Sequence, residues 1–487
     1  MGAAQTAGGV WRQYVAGEWV GGTDGRTREV RSPYDGRVVG TLAVGDVGDA
    51  ERALAGAHAA FAETRALASH ERHAILRAVH DGIAARREEF ARGIVDEAGK
   101  TIRDARAEVD RALLVFSLAA DEARRFGGGD VLPLDLNAAS NGRVGLARRF
   151  PAGVVAALTP FNFPLNLVAH KVAPALAVGN PVVLKPAEKT PLTALRLAEV
   201  IAETAWPAGA FSVVTPERPE EVGNLLATDP QVKVLSFTGS ARVGWALKAA
   251  ANTKRVTLEL GGNAGVVVHE DADLDYAVAR CVTGAFANAG QVCISVQRIF
   301  VHRPVFDAFA ERFGGGARRL KVGDPADEVT DIGPMISPQA RDNALTALAE
   351  AEQGGATFLM RGEPSGDTLL SPSVLTGTRP DMLVCREEAF APLAVLEPYD
   401  TFEEALARVN DGRYGLQAGV FTRDIGRVFA AFGALEVGGV IANDVPQYRV
   451  DNMPYGGEKD SGFGREGVRY AVEEMTELRL LALNFPP

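Results

Sequence analysis

Beyond Gly129 the chain alternates short Val- and Leu-rich runs with longer helix-like stretches, and this alternation limits the fold more than any other feature of the sequence. The runs at 153–158, 182–184, 211–214 and 232–237 have the length of strands, and stretches such as 191–205 between them have helical character. Strand, helix, strand at this spacing predicts a parallel sheet covered by helices on both faces. A second series follows Gly261: strand-like 265–268, helical 274–287, strand-like 298–301, helical 305–313, then strand-like 393–396, 418–421 and 440–443. The expected fold class is therefore α/β, with two doubly wound domains meeting near Gly261-Gly262 and any ligand between them. The first third reads helical: 49–68 is Ala-rich, 71–97 repeats Ile75, Val79 and Ile83, and 101–125 is amphipathic and stops at Gly127-Gly128-Gly129. A polar ribbon at 132–149 and the tail after Gly467 fit neither sheet. The expected division is 13–128 with 150–260 as one domain, 261–466 as the other, 129–149 with 467–487 as a small β element, and a flexible 1–12.

With 487 residues, 47% hydrophobic and 23% charged, the chain has the composition of an ordinary globular protein. Its net charge of −11 argues against broad binding to nucleic acid or anionic membrane. Three cysteines, Cys281, Cys293 and Cys385, make no disulfide framework in a chain this long, which points to a reducing cytoplasm. No apolar run reaches the roughly 18 residues of a membrane helix, and the first ten residues have neither the basic start nor the apolar core of a secretory signal. Residues 1–6 fit the myristoylation pattern, but no polybasic second anchor follows, so a frayed terminus is the simpler reading.

Of the cysteines, Cys281 sits in a helical run as a core residue and Cys385 reads as a strand end. Cys293 follows Asn288-Ala289-Gly290-Gln291, a polar helix ending where a thiol meets solvent and ligand; nucleophile and packed thiol both fit that spacing. Glu259 stands where an apolar strand runs into Gly261-Gly262, either a site acid or a surface glutamate. Asn162 lies in a proline-stiffened loop after another strand, where its amide can donate to developing negative charge without titrating. Ser240, after 232–237, can cap the next helix and present its amides to a phosphate. The histidines show no ligand spacing with carboxylate or thiolate company, so no metal site is expected.

FNFP at 161–164, KPAEKTP at 185–191, FTGS at 237–240, LELGGN at 258–263, GQVC at 290–293, EEAFAP at 387–392 and MPYGGEKDSGFGREG at 453–467 occur in one order. Together they resemble the aldehyde dehydrogenase superfamily from Tyr14 almost to the C-terminus. The resemblance implies a Rossmann-like NAD(P)-binding domain, a catalytic domain and an oligomerisation element, assembled as a homodimer or homotetramer. It implies that Cys293 attacks the aldehyde carbon and that the Asn162 amide and the Cys293 N–H hold the oxyanion. Hydride then passes to the nicotinamide, and Glu259 activates water against the thioester and helps deprotonate the thiol. It further places Lys185 and Glu188 on the adenosine ribose, Thr159, Phe161, Gly239 and Ser240 along the cofactor, Glu388 on the nicotinamide ribose and Phe390 against the nicotinamide. NAD is expected over NADP, because Glu188 would repel a 2′-phosphate, although Lys185 softens the repulsion.

FTGSARVGWALK and GQVCISVQR look like the branch of lactaldehyde, phosphonoacetaldehyde and sulfolactaldehyde dehydrogenases. Phe161, Ala391 and Asn263-Ala264-Gly265 depart from the commoner pattern, mildly for the mechanism. Arg111 and Arg449 match positions where anion-accepting relatives carry arginine, so the expected substrate is a short aldehyde with a phosphonate, sulfonate or carboxylate tail. Each arginine could instead pair with a nearby acid, Glu108 or Asp451. The alternatives are a neutral hydroxyaldehyde dehydrogenase, a CoA-acylating relative, and a non-catalytic member of the fold.

Overall fold

A computed structural model describes residues 4–6, 8–22 and 25–485; Gly2 of the N-terminal pattern lies outside them. The expected strands form a central sheet. Across it lie Arg255–Glu259, Val232–Thr238, Val154–Leu158, Val182–Lys185 and Phe211–Val213, all parallel, with antiparallel edges Gly462–Phe463 on one side and Gln13–Val15 and Glu18–Val20 on the other. The chain moves outward from Val154–Leu158 through Val182–Lys185, then returns to the other side at Val232–Thr238. That reversal opens a crevice at the carboxyl ends of the strands, the usual ligand position in such sheets. Thr159, Asn162, Glu188, Ser240 and Glu259 all lie at or just beyond these ends.

A second sheet runs Thr357–Met360, Ser373–Thr376, Leu393–Tyr399, Val296–His302, Ala264–Val268, Gln417–Phe421 and Gly439–Ala442, parallel except for the first strand. It offers the crevice the amino ends of its strands, so Gly262, Cys293 and Phe390 precede Ala264, Val296 and Leu393. The largest core packs Ser69–Ala85, Ile102–Arg125 and Asn166–Val178 against the first sheet. Ile102–Arg125 forms because Thr101 caps it, accepting from the Asp104 amide, and because Ala105, Val109, Ala112, Phe116 and Ala119 make one buried stripe. Truncating such a residue as Phe116 typically costs about 3–5 kcal/mol.

Four expectations need correction. The stretch 71–97 is two helices, Ser69–Ala85 and Arg87–Ala98, broken at Arg86. Cys385 lies in a short helix, Leu383–Arg386, not at a strand end. The N-terminal lead is not loose throughout: Val10–Trp11 pairs in parallel with Val38–Ala43, and Ala4 is buried. The tail after Gly467 also divides. Val468–Glu474 is a helix whose Val468 and Val472 join the largest core, and only Thr476–Asn484 pairs with Arg143–Pro151, which pairs in turn with Gly129–Pro133. These three strands form an exposed antiparallel arm.

Candidate active site

The loop carrying Asn162 is fixed from below. Glu108, on the long helix Ile102–Arg125, accepts the Leu165 and Asn166 amides at 2.9 and 3.1 Å and meets Lys100 Nζ at 2.6 Å. Asn166–Val178 has no side-chain cap of its own, so Glu108 satisfies amides that would otherwise be orphaned. Asn162 is buried; its Nδ2 donates to the Gln291 carbonyl at 2.9 Å and its Oδ1 has no partner.

The Cys293 loop begins where Leu274–Phe286 ends in three consecutive left-handed residues, Asn288, Ala289 and Gly290, with φ of 51°, 55° and 71°. Such conformations cost a non-glycine residue about 1 kcal/mol or more and persist only when surroundings impose them. Gln291 imposes this one, donating to the Asn288 and Pro334 carbonyls and accepting the Ile336 amide at 2.8 Å. A Cβ on Gly290 would fall 2.0 Å from the Ala391 carbonyl oxygen, so the turn needs both the freedom and the bareness of glycine. Cys293 is half-buried among Phe163, Val292, Ile294, Leu416 and Tyr455, less open than its sequence setting suggests. Its Sγ lies 3.0 Å from the Tyr455 hydroxyl. Burial pushes the thiol up to about 12, against the pull of Tyr455 and Arg449, so it is protonated at neutral pH.

Glu259 is buried, and among the described residues neither carboxylate oxygen has a hydrogen-bond partner. Burial first, and the Glu466 charge second, push it well above the usual carboxylate range. A Cβ on Gly262 would meet the Cys293 carbonyl oxygen at 2.4 Å, and that contact brings the strand exit beside the thiol loop.

Arg111 and Arg449 are both ion-paired, though not with the acids their sequence positions suggest. Arg111 grips Asp451 at 2.6 and 3.3 Å, and Arg449 Nη2 donates to Glu466 at 3.2 Å. Lys171 donates to the other Glu466 oxygen at 2.9 Å, and His170 Nε2 lies 2.8 Å from Asp451. Although burial opposes its charge, Lys171, His170 and Arg449 hold Glu466 at about 2. The Arg449 guanidinium lies 3.6 Å from the centre of the Tyr455 ring, while Lys100 and Arg111 lie 3.4 and 5.9 Å from that of Phe163. Two aromatic rings next to Cys293 are thus backed by cations. Arg449 is nearly enclosed, whereas the Arg111 side chain is 29% exposed.

Along the crevice, Lys185 Nζ pairs with Glu188 at 2.5 Å. Burial opposes the Glu188 charge, but Lys185 and then Arg28 keep its pKa low. Ser240 occupies the N-cap of Ala241–Ala250, yet its hydroxyl makes no capping bond, contrary to expectation. The Gly239 amide is already used by the Glu259 carbonyl at 3.0 Å, and the Thr159 amide by the Lys185 carbonyl at 3.2 Å. Thr238 Oγ1 is buried without a partner. An uncapped helix start beside an orphan hydroxyl suits a pyrophosphate. Glu388 accepts the Gly262 amide at 2.9 Å, and burial raises its carboxyl to about 7. Phe390, itself left-handed at φ 47°, meets Phe161 edge-on at 5.9 Å. These residues fit a dinucleotide laid from Glu188 to Glu388.

Sequence reasoning missed two groupings. Tyr455 was hidden inside its glycine motif, where only the phenol marks it. His269 stacks on His302 at 4.5 Å with Glu270 beside them, their donor atoms within 4.8 Å, because neighbouring parallel strands end there, away from the crevice.

The sequence profile of the Aldehyde dehydrogenase family matches residues 19–481. The chain belongs to the aldehyde dehydrogenase family. It is 44% identical over 471 residues to a 3-sulfolactaldehyde dehydrogenase of Priestia aryabhattai, covering 97% of each chain. It is 35% identical to a lactaldehyde dehydrogenase of Methanococcus aeolicus, covering 97% of this chain and 99% of that one. The crystal structure of aldehyde dehydrogenase 21 from Physcomitrella patens, in complex with the reaction product succinate, superposes with a TM-score of 0.95 at 40% identity, covering 98% of both chains. Similar structures from Methanocaldococcus jannaschii and Staphylococcus aureus carry NADP and NAD+. This aldehyde dehydrogenase is an oxidoreductase that uses NAD(P) to oxidise an aldehyde.

Proposed function

We propose that Cys293 is the nucleophile, that Asn162 Nδ2 and the Cys293 N–H form the oxyanion site, and that Glu259 is the base. The convergence of these three groups, drawn from three separate loops, carries the reading. Cys293 Sγ passes its proton to solvent water as it bonds to the aldehyde carbon, the carbonyl π pair moves to oxygen, and the resulting oxyanion sits against the two donors; losing one such donor typically costs about 10²–10³ in rate. The bound nicotinamide supplies the hydride acceptor. Glu259 then takes a proton from the water that attacks the thioester carbonyl, and the C–S bond breaks, releasing the carboxylic acid and the Cys293 thiolate, which regains a proton. The unpartnered oxygens of Glu259 leave it free to take that proton from water, and hydrolysis by water, not acyl transfer to CoA, suits an enclosed acid at this point.

The substrate we propose is a short aldehyde with an anionic tail. Arg111 is the group with exposure to receive that tail, and the 3-sulfolactaldehyde relative agrees. Arg449 is committed to Glu466, so Arg111 is the one to test. Arg111→Ala is expected to lower kcat/KM for an anionic aldehyde by about 10-fold or more, since charge-assisted bonds contribute roughly 1.5–3 kcal/mol. Its activity on lactaldehyde should stay within a factor of about three. Equal losses on both would make Arg111 structural and favour the neutral hydroxyaldehyde.

For the cofactor we propose NAD over NADP, on the Glu188 carboxylate. Arg28 facing Glu188 is the observation that favours NADP. Comparing kcat/KM for the two decides; equal values or an NADP preference would remove the assignment.

We also propose a homodimer or homotetramer. Val131, Leu478 and Leu480 on the arm are 70%, 62% and 58% exposed, and Ile425, Phe429 and Phe432 make an apolar stripe on Ile425–Ala434 at 68–69%. A second copy of the chain would cover such surface. A monomeric mass in light scattering would refute this. Three free cysteines suit the cytoplasm, which cell fractionation reads directly.

A further inference from the structure

Far from the crevice, where the arm leaves the first sheet, six arginines surround a cavity of about 590 Å³. They are Arg65, Arg72, Arg124, Arg148, Arg149 and Arg479, drawn from three helices or their ends and two arm strands. No aspartate or glutamate lines the cavity among the described residues. Among the described residues none of the six forms an ion pair; Glu71 accepts the Ala68 amide at the cavity rim and Glu477 pairs with Arg255, so each reaches the cavity arginines, Arg72 and Arg149 with Arg479 respectively, only through space. The protein carries a net charge of −11, yet six arginines gather here without a directly bonded carboxylate among the described residues.

The local geometry holds the charges together. Arg148 and Arg479 stand directly opposite one another in the antiparallel arm, a like-charge placement that destabilises a sheet unless something lies between. Aromatic rings orient the guanidinium groups without neutralising them: Arg65 lies over Phe61 at 5.6 Å, Arg72 over Phe126 at 5.6 Å, and Arg148 and Arg479 over Phe150 at 5.5 and 4.8 Å. Arg72 is buried, its Nε donating to the Ala177 carbonyl at 2.9 Å and its Nη1 to that of Leu67. Burial, and then the charge of Arg148, press its pKa downward. The helix Ser69–Ala85 also starts at this cavity, with Ala68 in its N-cap position offering no side-chain cap and Glu71 accepting the Ala68 amide.

We propose that this cavity is a binding site for a small multivalent phosphate anion, such as a di- or triphosphate group, distinct from the cofactor's pyrophosphate site. Several guanidinium forks around one space match several phosphate oxygens, and the volume exceeds what one orthophosphate fills. The bound anion would tie the arm strands to the helices of the cofactor-binding half.

The test keeps the cofactor site filled. Inorganic triphosphate is titrated into the whole enzyme at saturating NAD(P)+, against sodium chloride of equal ionic strength, with thermal stability and calorimetry as readouts. Saturable binding that raises the melting temperature, and weakens at least 10-fold in the exposed pair Arg124→Glu with Arg148→Glu, is expected; orthophosphate should bind more weakly than triphosphate. Basal aldehyde oxidation by the variant should be unchanged. A salt-like response of the wild type overturns the proposal, as does undiminished binding by a folded variant. So does a changed assembly mass of the variant in light scattering when the wild type binds no triphosphate, because carboxylates of a second copy would then be the occupants. Should the variant not fold, Arg65→Gln with Arg124→Gln repeats the comparison with less disturbance of the arm.

Discussion

Cys293→Ala is expected to lower kcat by about 10⁴-fold or more, the order seen when a covalent nucleophile is removed. Cofactor binding should be retained, because Lys185, Glu188 and Glu388 lie on other loops. The substitution also has a predictable structural cost. Among the described residues the thiol is the side-chain partner of the buried Tyr455 hydroxyl, so alanine strands that hydroxyl at roughly 1–3 kcal/mol. A denaturant midpoint reads this cost, and adding Tyr455→Phe should recover part of it. Turnover retained by Cys293→Ala, once wild-type contamination is excluded, would defeat the mechanism.

Glu259→Gln is expected to separate the two halves of the reaction. The amide keeps the shape of the enclosed carboxyl but cannot take a proton from water, so a first turnover of reduced cofactor should appear and steady-state release should fall by about 10²–10⁴. The pH profile gives a second reading. Burial and Glu466 raise the Glu259 pKa, so its ionised, basic form gains as pH rises, and wild-type deacylation should climb with pH above the range in which an ordinary carboxylate ionises. The glutamine variant should lose that climb. A burst that disappears along with steady-state turnover would instead assign Glu259 chiefly to activating the thiol.

The positions of Asn162 and Glu259 were legible because each follows an apolar run and meets a proline or glycine that marks a loop, and that of Cys293 because it follows a polar, glycine-bearing helix ending. Their convergence was not legible from periodicity, since strand order sets it, and the family motifs supplied it. Ionic partners were the least legible. Lys171 and Glu466 are joined by a fold-level contact, and proximity in sequence misassigned Arg111 and Arg449 because Glu108 had been taken by Lys100 and two helix amides. The break at Arg86 was hidden because apolar spacing continues on either side of it. Ser240 shows the opposite case, where the local signal was right for a helix start but the hydroxyl was not spent on it.

The C-terminal segment has a consequence for how the chain is made. Val468, Val472 and Met475 belong to the same core as Ile75, Val109 and Val182, and Gly462–Phe463 edges the sheet begun at Gln13–Val15. The first core therefore cannot close until the segment 462–475 has been made and has docked. Contacts of such sequence separation slow folding and leave apolar surface uncovered meanwhile. Folding of this enzyme is expected to leave the first core exposed to chaperones until the helix Val468–Glu474 docks on it.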